Sequence, residues 1–184
     1  MALRPVRIYG DPVLRQKAQP VTEFDDDLRA LVEDMRETMK AYEGVGLAAN
    51  QVGVARRVLV VDVPLDDERR ERHVLVNPVI GSRSGSESGE EGCLSIPGVY
   101  DDVARSAKLS VTGQDEHGRP VSIQAEGYLA RAIQHEIDHL DGVLFVDRLS
   151  PLKRQFLRRA LESLARGELP EGYRPPLGRE EKRS

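Results

Sequence analysis

The segment that most limits this chain is 127–140, which ends in Gln134-His-Glu-Ile-Asp-His-Leu140. Read as a helix, its apolar residues Leu129, Ala132, Ile133, Ile137 and Leu140 spread widely around the axis rather than along one stripe. Such a helix is buried on much of its circumference, so other elements must pack around it. It also carries His135, Glu136 and His139. Buried polar groups without partners are costly, so these three must face something that satisfies them. His135 and His139 stand one turn apart on one face, the spacing at which two imidazoles hold a single metal ion. Glu136 sits where a carboxylate reaches water on that ion. A surface pair of histidines beside a solvated glutamate would spell the same motif. Burial of the helix speaks against that, and two of only four histidines fall at this spacing.

The other elements follow from periodicity and turn chemistry. Leu28, Leu31, Val32, Met35, Met39 and Tyr42 form one stripe of a helix, with Thr22 as the expected N-cap and Gly44 as its stop. Residues 1–20 read as an irregular, surface-hugging arm. Val58-Leu-Val-Val-Asp-Val63 reads as a buried strand and His73-Val-Leu-Val-Asn77 as its hairpin partner, across a charged loop from Asp66 to Arg72. Residues 81–90, rich in Gly and Ser, are expected to be a flexible polar loop. A strand pair is expected at about 107–114 and 119–126, and a short strand at 143–146. Pro151 suits the first turn of a helix over about 151–166. The pattern lacks regular strand–helix alternation. The expected fold class is α+β, with mostly antiparallel strands around a central helix carrying the His-Glu-x-x-His motif, and a C-terminal helix. The expected domain is 1–166, with 167–184 as a flexible C-terminal tail.

Composition narrows the function classes. The 184 residues suit one domain with a real core, and 39% hydrophobic with 32% charged residues fits a soluble globular protein. A net charge of −4 gives no global reason to expect nucleic acid. The single cysteine, Cys93, cannot form an internal disulfide, so nothing points to an oxidising compartment. The N-terminus lacks the apolar run of a signal peptide, and no stretch approaches the ~20 apolar residues of a membrane span. The expected location is the cytoplasm, with no membrane contact.

A catalytic metal site needs a third protein ligand and an open position. The residues after His139 lack the downstream histidine of the familiar zinc peptidases. Glu162 and Glu168 are candidates only by default. Cys93 is the other candidate, since a thiolate binds borderline divalent metals well. Most lone cysteines are inert small hydrophobes, but this one sits in Glu91-Gly-Cys-Leu-Ser95, with a glycine beside it.

Three segments, Gly44-Val-Gly-Leu-Ala-Ala-Asn-Gln51, Glu91-Gly-Cys-Leu-Ser95 and Gln134-His-Glu-Ile-Asp-His139, resemble the peptide deformylase family in order and separation. The resemblance extends over about 1–165. It implies an enzyme that removes the formyl group from N-terminal formylmethionine of newly made polypeptides, releasing formate. It implies Cys93, His135 and His139 as metal ligands and Glu136 as general acid/base. Gln51 and the backbone N–H of Leu94 would face the carbonyl oxygen, and Gly46 would contact the substrate backbone. Val45, Glu91, Tyr128, Arg131 and Ala132 fall where the family builds its methionine pocket. One divalent ion is implied, Fe(II) in the cell, with Zn, Ni or Co possible in a purified sample. Two departures stand out: Tyr100 replaces an arginine that contacts the peptide in some members, and Tyr128 and Arg131 replace aliphatic residues.

The C-terminal helix has an apolar stripe of Leu152, Phe156, Leu157, Ala160, Leu161 and Leu164, and a basic side of Lys153, Arg154, Arg158, Arg159 and Arg166. The ordinary expectation is a surface helix packed on the core. A sharper one is transient electrostatic contact with the ribosome, where the substrate emerges. A monomer is expected. Two other functions share these residues: a metallopeptidase cutting internal bonds, and a non-catalytic metal-binding module. Formate release from a formylated peptide separates all three.

Overall fold

The computed structural model describes residues 2–176. The first helix, α1, is Asp26–Ala41. Seven strands follow: β1 Gly46–Ala48, β2 Val58–Pro64, β3 Arg70–Ser84, β4 Glu87–Cys93, β5 Ile96–Arg105, β6 Lys108–Gln114 and β7 Pro120–Glu126. Helices α2, Gly127–Leu140, and α3, Pro151–Ala165, close the chain. Five strands make one antiparallel sheet in the order β1-β2-β3-β6-β7, and β4 pairs with β5 as a separate two-stranded ribbon. The α+β class with a central helix is therefore observed.

The apolar run of β2 is explained by burial on both faces. Successive side chains of a strand point to opposite sides. Val58 and Val60 pack on one side against Leu28, Leu31, Val32, Met35 and Met39 of α1. Leu59, Val61 and Val63 pack on the other against Leu129, Ile133, Ile137 and Leu140 of α2. A third cluster joins Val99 and Val103 of β5 to Leu161 and Leu164 of α3 and Leu14 of the N-terminal arm. The arm also ties distant segments together, since Arg7 N–H donates to the Gln51 carbonyl at 2.7 Å and Tyr9 N–H to the Ser95 carbonyl at 2.8 Å.

Helix α2 lies between the sheet and the β4–β5 ribbon. Twelve consecutive residues, Leu129 to Leu140, are buried. That is the environment demanded by its all-round apolar pattern.

Several local expectations need correction. Asp25, not Thr22, caps α1; its Oδ1 accepts from Leu28 N–H at 2.9 Å. A carboxylate is the equal of a hydroxyl in this role and leaves the acidic Asp26 and Asp27 in the first turn. Glu43, at φ 56°, takes the left-handed position after the helix that was expected of Gly44. Residues 81–90 are not a loop but the end of β3, paired with β6, and the start of β4, paired with β5, joined by a turn at 85–86. Their Gly- and Ser-rich sequence has little strand propensity, and tertiary contacts override it: the ladder to β5, and Arg131 of α2 donating to the carbonyls of Glu87 and Gly89. Residues 143–146 do not form a strand, since Phe145–Arg148 is a 3-10 turn capped by Asp147, which accepts from Leu144 N–H. The α3 stripe splits. Leu161 and Leu164 are buried and Leu157 is half-buried, whereas Leu152 and Phe156 are 62% and 79% exposed. Positions 157, 161 and 164 share one helix face, and 152 and 156 lie on another.

Of the expected C-terminal tail, residues 167–176 are described, and 177–184 lie outside the described residues. Gly167, at φ 81°, ends α3 and turns the chain, and Leu169 then packs on the third cluster.

Candidate metal centre and its cleft

Cys93, His135 and His139 converge, their ligand atoms all within 4.8 Å of one another. His135 and His139 come from successive turns of α2, and Cys93 is the last residue of β4. His139 Nε2 lies 3.2 Å from His135 Nε2 and 3.3 Å from Cys93 Sγ. Donors arranged tetrahedrally about one ion at ordinary Zn–N and Zn–S lengths are about 3.3–3.6 Å apart. The donor set and spacing therefore fit a single transition-metal ion. Three protein donors also leave a fourth position free, as a catalytic site requires. Glu162 and Glu168, on or beyond α3, are not part of this cluster.

The imidazole of His135 is aimed from behind. Its Nδ1 lies 2.8 Å from Glu91 Oε1, which leaves Nε2 facing Cys93 and His139. Glu91 is itself gripped by Arg105, through Nε at 2.8 Å and Nη2 at 2.9 Å, and by Arg131 Nη1 at 2.9 Å. Arg105 reaches on to Asp138 at 2.6 Å, and Asp138 also receives Arg148. Burial alone would raise the Glu91 carboxyl, but the hydrogen bonds from Arg105 and His135 bring it down to about 2. Burial opposes charge on His135, yet its contacts with Cys93 and Glu91 raise its pKa well above the ordinary value. His139 is pushed the other way, by burial and by the charges of His135 and Arg105, toward the neutral imidazole that ligates metals.

Glu136, next to His135 on α2, lies against Gly46 of β1. Burial raises its carboxyl to about 7, against the pull of His135. Its Oε2 is buried without a hydrogen-bond partner among the described residues. A Cβ added at Gly46 would run into its Oε1, so only glycine lets the β1 backbone lie this close to the carboxylate. Gln51 is fixed through Oε1, which accepts from Ala48 N–H at 2.9 Å. Its Nε2 donates to Ser95 Oγ at 3.2 Å and reaches Cys93 Sγ at 3.5 Å. Gln51 therefore braces the loop and faces the cluster at once.

These groups border one cleft of about 500 Å³. Cys93, Leu94, Gln51, His135 and Glu136 line it, as do Val45, Gly46, Glu91, Tyr128, Arg131 and Ala132; His139 lies behind, 1% exposed. Every site residue expected from the sequence is thus at or directly behind the cleft. The sequence reading missed Ser95, Arg105, Asp138 and Arg148, which hold the site from behind, and Tyr42 and Tyr173 at its rim. Asp138 did carry a signal: a carboxylate on a buried helix needs a cation, which the fold supplies as Arg105 and Arg148.

Residues 3–155 match the family model described as polypeptide deformylase. A peptide deformylase of Alkalilimnicola ehrlichii is 52% identical over 166 residues, covering 90% of this chain and 93% of that protein. One from Acidobacterium capsulatum is 47% identical, covering 90% and 98%. Among solved structures, the peptide deformylase of Legionella pneumophila superposes with a TM-score of 0.83 at 47% identity, covering 92% of this chain and all of that one. The Ehrlichia chaffeensis peptide deformylase in complex with actinonin gives 0.84 at 39% identity, covering 92% and 100%.

Proposed function

Because the chain belongs to the peptide deformylase family, it is an enzyme that removes the N-formyl group from nascent polypeptides, and we propose that Cys93, His135 and His139 hold the divalent ion this hydrolysis uses. The observation that supports this assignment most is the convergence of one sulfur and two imidazole nitrogens beside a cleft. The same donors suit Fe(II), our choice for the ion in the cell, and accept Zn, Ni or Co in a purified sample. When bound, the ion supplies Lewis acidity, lowering the pKa of water toward about 7 and polarising the formyl carbonyl.

The chain's own residues do the rest. Glu136 takes the proton of the attacking water and delivers it to the amine nitrogen as the carbon–nitrogen bond breaks. A carboxyl with a pKa of about 7 can both accept and return a proton near neutrality. The Gln51 amide and the Leu94 N–H donate to the carbonyl oxygen as charge develops there; one such donor is typically worth ~3 kcal/mol of barrier. β1 is an edge strand, so Gly46 can offer backbone hydrogen bonds to an extended peptide. The methionine side chain lies among Val45, Glu91, Tyr128, Arg131 and Ala132. The Arg131 guanidinium is tied to Glu91 and to the Glu87 and Val103 carbonyls, so Arg131 presents its methylene stem rather than a free charge.

No described helix is long and apolar enough to cross a membrane. The enzyme acts as a cytoplasmic monomer and touches the ribosome transiently through α3. Support for that contact is Leu152 and Phe156, exposed among Arg154, Arg158 and Arg159. Absence of salt-sensitive ribosome binding would remove it.

Incubation of the metal-loaded protein with formyl-Met-Ala-Ser tests the main reading. Formate and intact Met-Ala-Ser are expected. Cleavage between residues, or no formate at all, would contradict it.

A further inference from the structure

Four of the chain's five tyrosines, Tyr42, Tyr100, Tyr128 and Tyr173, line the one cleft beside the metal cluster. Tyr128 belongs to the methionine pocket proposed above. The other three fall in order along the two walls of the cleft. Along one wall the chain runs back from Gly46, which touches Glu136, through Gly44, which lies on Leu94, to Tyr42 at the end of α1. Along the other it runs from Cys93 to Gly92, whose backbone lies under the Tyr100 ring.

The C-terminal segment bridges the outer ends of both walls. After Gly167 turns the chain, Pro170 packs on the backbone of Gly98, where a Cβ would stand 3.0 Å from the proline ring. Tyr173 N–H then donates to the Pro170 carbonyl at 3.0 Å, with Gly172 at φ 78° in the turn. That turn brings Tyr173 to the cleft, half-buried, and the Tyr173 hydroxyl is raised above its ordinary value by burial and by the neighbouring Tyr42. Pro97 and Pro176 complete a lining of rings and prolines at this end.

Resting on the deformylase reading, we propose that residues 169–176 form the outer wall of the substrate cleft. In this arrangement Tyr173, with Tyr42 and Tyr100, selects for apolar or aromatic side chains at the third and fourth residues of the formylated peptide. An extended peptide advances roughly 3.4 Å per residue, so residues beyond the methionine must leave along these walls. Flat aromatic faces bind apolar side chains with little ordering cost, because each ring has few rotatable bonds. Tyr173 is a specificity residue here and takes no part in the proton transfers.

Formate release is measured with formyl-Met-Ala, formyl-Met-Ala-Ser-Ser and formyl-Met-Ala-Phe-Phe, on the full chain and on Tyr173→Ala and Tyr173→Phe. The full chain is expected to prefer Phe-Phe over Ser-Ser about tenfold, mostly through KM. Tyr173→Ala is expected to erase that preference through a rise in KM for the Phe-Phe peptide, with metal content kept by elemental analysis and the fold kept by circular dichroism. Tyr173→Phe is expected to keep the preference. An undiminished preference in Tyr173→Ala would overturn the proposal. So would an equal loss, or an equal gain, on all three peptides, because these mark a structural role or an obstruction. No preference in the full chain would overturn it as well while sparing the deformylase reading, whereas no formate from any peptide would sink that reading itself.

Discussion

Glu91 Oε1 lies 2.8 Å from His135 Nδ1, and this contact joins a buried charge network to the metal-facing imidazole. Carboxylates behind a ligating histidine fix its tautomer and ring orientation, and losing one typically lowers metal affinity by about 10–100-fold. Glu91→Gln keeps the shape but weakens acceptance from His135. The expected outcome is a weakening of that order in competition with a chelator, with the fold intact by circular dichroism. Unchanged affinity would show that Glu91 does not orient the ring.

Arg105 sits between two carboxylates, 2.8 Å from Glu91 and 2.6 Å from Asp138, and is 7% exposed. Breaking a buried pair from one side leaves uncompensated charge, at a cost of about 3–5 kcal/mol. Arg148 and Arg131 still hold one carboxylate each in Arg105→Met, which favours the lower end of that range. Urea unfolding of metal-loaded protein measures it. A loss under about 1 kcal/mol would mean that the network contributes little to stability.

Glu136→Gln is close to isosteric and removes the proton shuttle. Turnover of formyl-Met-Ala-Ser is expected to fall by at least 10²–10⁴-fold, the usual scale of general acid–base catalysis. Metal stoichiometry by elemental analysis is expected to stay at one ion, since Glu136 is not a ligand. Near-normal turnover in a metal-replete sample would take this role from Glu136.

Gly46→Ala drives a methyl group into Glu136 Oε1. Either the carboxylate or the β1 edge must shift, and a displacement of about 1 Å at reacting groups can cost 10²-fold in rate. The expected result is a fall in kcat with metal content unchanged. Wild-type kcat would show that the close approach is not needed.

Much of this was legible in the sequence for reasons that can be named. A one-face stripe located α1, an all-round apolar pattern with paired histidines located α2, and a continuous β-branched run located β2, whose burial on two faces leaves an apolar signature. The 81–90 segment was not legible, since its strands are held by pairing with β5 and β6 and by Arg131 of α2, and not by local propensity. Residues 143–146 misled because four apolar side chains in a row suit a buried turn as well as a strand. In the site, the spacing of His135 and His139 was local and readable. Cys93 stands 42 positions before His135; its thiolate chemistry and its glycine neighbour made it a candidate, and the family resemblance assigned it as a ligand. Arg105 and Tyr173 carried no readable signal on their own, for each acquires its place only when β5 and the C-terminal turn fold against α2 and α1.

The central claim is that one cation binds Cys93, His135 and His139 together. Anomalous diffraction at the absorption edge of the bound metal tests it most directly. The account predicts a single strong peak within about 2.0–2.3 Å of Cys93 Sγ and of both Nε2 atoms. A peak elsewhere, or one bonded to the two imidazoles without the sulfur, would contradict it.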